Sequence, residues 1–208
     1  MCAGCHLIAS LFSNASAQTP QAASENPPPP VREPDVVFVP TPQEVVDKML
    51  EMAEVKKGDV VYDLGCGDGR IVVTAARKYG VKAVGFDINP VRVKESQENV
   101  KSNKVEHLVT IKQADIFTLD LREANVVALY LLPELNVRLM PQLQKLKPGS
   151  RIVSHDFDMR GAKPVQVHRM TVTEGDSTRN EHTIYKWVVP WTKETTASSA
   201  STPATSDR

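Results

Sequence analysis

Asp63, Gly65, Gly67 and Gly69 fall at alternate positions within VVYDLGCGDGR (Val60–Arg70), and a second apolar run, AVGFD, ends in Asp87. The first run has the composition of a buried strand that stops at an acid and breaks into a glycine loop, with a helix opening near Gly69. Glycines there let the backbone turn sharply and let a ligand approach closely. A helix start offers free N–H groups and the positive end of a dipole to a carboxylate or phosphate. An acid at the tip of the next strand, Asp87, accepts hydrogen bonds from the two hydroxyls of a ribose. Together these residues imply recognition of a nucleoside-containing cofactor.

The spacing narrows the class. Counted from Gly65, the third glycine of a dinucleotide fingerprint would fall on Arg70, and no Lys-Ser/Thr follows the glycines as a Walker loop requires. An NAD-dependent oxidoreductase is therefore the weakest rival. A third strand, Val109–Phe117, carries Asp115, and Ala124–Leu132 is a continuous apolar run of the kind buried on both faces of a parallel sheet.

The elements that must position these residues follow from periodicity. Pro42–Ala53 has apolar residues at 45, 46, 49, 50 and 53, a helical stripe with Thr41 as a natural N-cap. Helices are expected over Gly69–Tyr79 with Gly80 as the stop, over Pro90–Ser102 capped by Asn89, and over Pro133–Leu146. Strand five is Arg151–His155. Val165–Thr173 and His182–Val189 alternate around a polar turn, Glu174–Asn180, and read as an antiparallel hairpin.

The acid-x-Gly-x-Gly-x-Gly pattern, with acids at three successive strand ends, resembles the class I S-adenosylmethionine (SAM) methyltransferases. VPTPQEVVDKML (Val39–Leu50), YDLGCGDGRIVVTAA (Tyr62–Ala76), LYLLPELN (Leu129–Asn136) and LKPGSRIVSHDFDM (Leu146–Met159) are similar to a narrower group. Its members are bacterial relatives of the mitochondrial lysine methyltransferases of adenine nucleotide translocase and ATP synthase c-subunit. The resemblance implies an α/β, Rossmann-like class I fold: a seven-stranded, mostly parallel sheet in the order 3-2-1-4-5-7-6, helices on both faces, and a C-terminal antiparallel hairpin. It assigns Asp63 and the loop of Gly65, Cys66, Gly67 and Gly69 to the methionine part of SAM. It also assigns Asp87, with Ile88 beside it, to the ribose and Asp115 with Ile116 to adenine. Thr41 either folds over the methionine carboxylate or simply caps its helix. Cys66 in its own right reads as a small filler.

On the acceptor side the candidates are Tyr130, Pro133 and Glu134 after strand four, and His155 and Asp156 after strand five. Tyr130 can orient an amine through its ring or hydroxyl, or be a core aromatic. Glu134 can pair with an incoming lysine, or favour a helix N-terminus. His155 or Asp156 can accept the proton a lysine must lose, or be satisfied strand-end residues. No cluster has metal-ligand spacing, and no hydrolase elbow is present. The expected reaction is methyl transfer from SAM to a protein lysine. The alternatives are a small-molecule N- or O-methyltransferase and a non-catalytic, exported SAM-binding protein. No large insertion follows strand five, which leaves an open acceptor face and favours a protein substrate.

Composition bounds the rest. The 208 residues suffice for one α/β domain, and 25 basic against 25 acidic residues leave no footprint for a nucleic-acid backbone. The folded unit is expected over residues 35–191, between a Pro-rich N-terminal segment (1–34) and a Ser/Thr/Ala-rich tail (192–208). His6–Phe12 followed by Asn14–Ala17 resembles a short apolar region with a cleavage site, without a basic stretch before it. A truncated export signal, or membrane association through this segment, stands beside the expectation of a cytoplasmic protein with no transmembrane segment. Cys2-Ala3-Gly4-Cys5-His6 matches the haem-attachment pattern, but nothing after it resembles a cytochrome.

Overall fold

In the computed structural model, which describes residues 33–174 and 178–194, the apolar runs become the middle of a single sheet. Its strands are β1 (Val60–Leu64), β2 (Lys82–Asp87), β3 (Val109–Gln113), β4 (Val126–Leu129), β5 (Arg151–His155), β6 (Gln166–Glu174) and β7 (Thr178–Val188). They stand in the order β3-β2-β1-β4-β5-β7-β6, as expected. β1 to β5 pair in parallel, while β7 is antiparallel to both β5 and β6. The cysteine pair near the N-terminus, the export-like segment, the Pro27–Pro30 run and the tail beyond residue 194 lie outside the described residues.

The helices are α1 (Gln43–Met52), α2 (Arg70–Tyr79), α3 (Pro90–Ser102) and α4 (Pro133–Leu143). Strand alternation sends Val61, Ala83, Val126 and Val153 to one face, where they meet Val46 and Leu50 of α1 and Val72 of α2. Leu64, Leu129, Ile152 and Trp187 point to the other face, against Leu139 and Leu143 of α4. Each fully buried leucine contributes about 1.5–3 kcal/mol relative to exposure. The buried Trp187 indole donates to the carbonyl of Ala162 at 2.8 Å, so this large side chain enters the core without an unpaired donor.

Several boundaries differ from the sequence expectation, each for a physical reason. The ladder of β3 stops at Gln113, because Asp115 turns the chain by capping a 3-10 turn over Ile116–Thr118. The β4 ladder ends at Leu129, so Tyr130–Leu132 leave the sheet toward the cleft. Helix α4 ends at Leu143: Pro141 has already removed one helical hydrogen bond, and the chain leaves through turns to Leu146. The hairpin strands extend past Thr173 and begin at Thr178, so Glu174 and residues 178–180 lie in strands and not in the turn. Thr41 does not cap α1; Pro42 occupies the cap position without a side-chain bond, and the Thr41 hydroxyl is engaged elsewhere.

Candidate active site

A cleft of about 250 Å³ runs across the carboxyl ends of the central strands, where an open parallel sheet reverses its winding. Asp63, Gly65, Cys66, Asp87, Ile88, Asp115, Ile116 and Thr41 all line it, as does Tyr130. Eight of the ten cofactor candidates read from sequence therefore share one surface. Gly67 and Gly69 lie just behind it.

The glycine loop is shaped by backbone need. Gly69 has φ 78°, and a Cβ there would stand 2.9 Å from the Ser96 side chain of α3. Gly67, at φ 54°, has the Phe38 ring lying directly on it, so no side chain fits without moving that ring. The Gly67 amide donates to Asp87 Oδ2 at 2.9 Å, and the Asn89 amide donates to Asp87 Oδ1 at 2.9 Å. Asp87 is thus fixed in orientation, while each carboxylate oxygen retains acceptor capacity for a ligand. Asp115 Oδ1 accepts from the Phe117 amide at 3.0 Å.

Asp63 is the exception in this otherwise satisfied loop. Its side chain is buried and its Oδ2 has no hydrogen-bond partner. Burial, then the charges of Asp87 and Asp68, push its carboxyl up to about 8. A buried carboxyl oxygen without a donor is costly unless a ligand supplies one. The α-ammonium of an amino-acid-bearing cofactor is such a donor, so the residues present fit SAM. Cys66 sits beside it; burial, then Asp63 and Asp87, raise its thiol well above the ordinary range, so it remains an inert thiol.

Three features of the cofactor end went unread in the sequence. Residues 34–39 form a strap along the cleft, with Phe38 between Gly67 and the Arg92 guanidinium, which lies 4.8 Å from the ring centre. Arg70 grips Asp68 at 2.6 Å and donates to the Thr41 carbonyl at 2.7 Å, tying the strap's end to the first turn of α2. The apolar spacing of Val36, Val37, Phe38 and Val39 was the available signal.

The acceptor end is built from rings. Tyr130 lies 5.9 Å from Phe157 in a near-parallel stack (22°), and both face the cleft with Leu132 and Leu135. Phe157, the residue after the two acceptor candidates His155 and Asp156, was not singled out. Asn136, inside the LPELN segment, is buried and donates to the Phe157 and Asp158 carbonyls, holding that loop in place. Ser154 Oγ also donates to the Phe157 carbonyl, at 2.6 Å.

The remaining acceptor candidates are placed differently. Pro133 opens α4, and Glu134 is exposed and paired with Arg160 at 2.5 Å. A backbone amide, then Arg160, hold the Glu134 carboxyl below its usual range. His155 is fully buried, one layer behind the cleft wall, with its ring 4.0 Å from that of Tyr130. His155 Nδ1 lies 3.2 Å from Thr41 Oγ1, and His155 Nε2 lies 2.9 Å from His182 Nδ1. Asp156 Oδ2 closes the group at 3.1 Å from His155 and 3.2 Å from His182. No metal-ligand spacing is visible in the sequence because this cluster comes from two strands: antiparallel pairing sets His155 opposite Ile184, which brings His182 alongside.

Comparison with known proteins agrees with this geometry. The ANTKMT methyltransferase domain family matches residues 63–166, half of the chain. A protein-lysine N-methyltransferase of Saccharolobus islandicus is 46% identical over 158 residues, which is 75% of this chain and 95% of that protein. An ATP synthase c-subunit lysine N-methyltransferase of Rattus norvegicus is 31% identical over 58% of this chain, which spans 55% of that enzyme. Among solved structures, an RNA methyltransferase from Salinibacter ruber in complex with S-adenosyl-L-homocysteine is similar. It shows 48% identity, covers 73% of this chain and 94% of its own, and has a TM-score of 0.65.

Proposed function

The chain belongs to the ANTKMT methyltransferase domain family and is a SAM-dependent methyltransferase, and we propose that its acceptor is the side-chain amine of a protein lysine. The observation that carries this reading is one cleft with two unlike ends: buried acids at one, stacked rings at the other. Asp63 holds the cofactor's ammonium, Asp87 its ribose, and Asp115 with Ile116 its adenine. Gly65, Cys66 and Ile88 shape the wall between them. When bound, SAM supplies a methyl group on a sulfonium that a nucleophile displaces in line.

Alignment and desolvation then provide much of the rate. Leu132 and Leu135 accept the methylene stem of a lysine, while Tyr130 and Phe157 surround its nitrogen. Removing an ammonium from water lowers its pKa, so the ring-walled end favours the neutral, nucleophilic amine. His155 and Asp156 act through Tyr130 and the strand end, as positioning residues. Glu134, turned to Arg160 on the rim, meets the substrate protein's surface.

Two relatives are named as acting on protein lysines, and a third is described as an RNA methyltransferase. The balanced charge of this chain and the acids lining its cleft favour protein over a phosphate backbone. No helix among the described residues is long and apolar enough to cross a membrane. Because SAM is a cytosolic metabolite, the cytoplasm is where the reaction belongs.

The test is methyl transfer from labelled SAM into an extract of cells lacking the protein, divided into protein, RNA and small-molecule fractions. Label in protein as methyl-lysine, absent with Asp87→Ala, is the expected result. Label confined to RNA or to small molecules would overturn the lysine assignment.

A further inference from the structure

Behind the acceptor wall, His155 Nε2, His182 Nδ1 and Asp156 Oδ2 form a triangle with edges of 2.9, 3.1 and 3.2 Å. From this geometry we infer that the group is a binding site for a divalent transition-metal ion, which would pin the end of β5 to β7.

Hydrogen bonding alone satisfies such a triangle poorly. A ring N–H lies along one line and serves one edge well. With one proton on the two nitrogens, the N–H serves one of its two edges, and the edge between the unprotonated nitrogen and the carboxylate is left with lone pairs facing each other. With two protons, both directed at the carboxylate, two N–H groups confront each other across the shortest edge. A single cation about 2.1 Å from each atom satisfies all three at once: octahedral ligation at that length sets ligand atoms about 3.0 Å apart and tetrahedral ligation about 3.4 Å, which brackets the upper edges of the triangle. Two imidazole nitrogens with one carboxylate suit first-row divalent ions such as zinc or cobalt; magnesium and calcium prefer oxygen alone.

The surroundings are those of held ligands. His155 Nδ1 meets the Thr41 hydroxyl, and Asp156 Oδ1 accepts from the Thr183 amide at 2.7 Å, so two of the three side chains are fixed through their other atom. Asp156 has φ 57°, a left-handed conformation that costs a non-glycine residue energy and that clusters at functional sites. Its own amide donates to the Thr183 carbonyl at 2.7 Å and keeps it there. Both rings are buried, while the Asp156 side chain is 27% exposed, which gives an ion a way in. A bound ion would stiffen the Tyr130 wall and, through Thr41, the cofactor strap. The site does not depend on which acceptor is methylated.

The experiment uses the full chain with Cys2→Ser and Cys5→Ser, which removes the competing thiolates near the N-terminus, stripped with chelator and titrated with Co²⁺ and Zn²⁺. Calorimetry, cobalt absorption and thermal melting report binding without reference to activity. One equivalent should bind, and zinc should raise the melting temperature. Asp156→Asn and His182→Gln should each weaken binding by more than about a hundredfold, while Thr41→Val, which removes only a supporting contact, should cost about 10–100-fold or less. The inference is overturned if the parent binds no stoichiometric ion. It is equally overturned if both ligand variants bind within about threefold of the parent.

Discussion

The two ends of the cleft are built by different means. At the cofactor end each recognising group sits on, or next to, the strand end that presents it: Asp63 on β1, Asp87 on β2, Asp115 just past β3. Backbone amides of the neighbouring loop fix Asp87 and Asp115. At the acceptor end Tyr130 and Phe157 come from separate connections, and what orients them is a buried polar layer assembled from Thr41 ahead of α1, α4, β5 and β7. On the proposed reading, a cofactor shared by a whole family is held by local, repeatable units, and a particular acceptor by long-range assembly.

The contrast predicts unequal sensitivities. The largest effect should come from Asp87→Ala, which removes a charged acceptor for two ribose hydroxyls. At about 1.5–3 kcal/mol for each such bond, SAM affinity should fall by at least about a hundredfold, measured by calorimetry. Unchanged affinity would show that the strand-end acids do not hold the cofactor. Gly69→Ala comes next: a positive φ and a contact with Ser96 should cost about 1–3 kcal/mol of unfolding free energy in a denaturant titration.

The orphaned Asp63 makes the cofactor end sensitive to pH. Below about pH 8 its carboxyl is protonated in the cofactor-free protein, whereas an ammonium-bearing ligand needs the carboxylate. SAM affinity should therefore rise as pH climbs toward about 8, by up to about tenfold per unit, and fall again where the ligand's own ammonium loses its proton. Stability of the free protein runs the other way. The folded state keeps a proton that the unfolded state has lost above its ordinary 3.8, so this contribution declines from there until about 8. Calorimetry and melting across that range should show opposite trends, which Asp63→Asn flattens.

Smaller effects sharpen the boundary between the ends. Phe38→Ala, which uncovers Gly67, should weaken SAM binding by about three- to tenfold, since the ring contributes apolar cover and no charge. Glu134→Gln should leave the denaturant midpoint essentially unchanged, because the pair with Arg160 is exposed and solvent-screened.

How much was legible follows the same division. The three acids and the glycine loop were readable because each lies at the edge of its own apolar run, within a few residues, whereas the strand order came from the family resemblance. His182 was not, because a strand pairing across 27 residues brings it to His155. Thr41 read either as a cover for the methionine carboxylate or as a cap that Pro42 in fact occupies, and the partner of its hydroxyl stands 114 residues away. Phe157 followed a histidine and an acid that drew the chemical reading, and its role as a wall depends on Asn136 and Ser154 holding its carbonyl. Local rules see strand ends; they do not see what two strands bring together.

The most direct test measures SAM affinity and methyl transfer to protein lysine side by side for the wild type and for Tyr130→Ala combined with Phe157→Ala. If the ends are separate, SAM affinity stays within about threefold while transfer falls by at least about a hundredfold. Loss of affinity in step with transfer, or transfer that survives without the rings, would contradict the two-ended cleft.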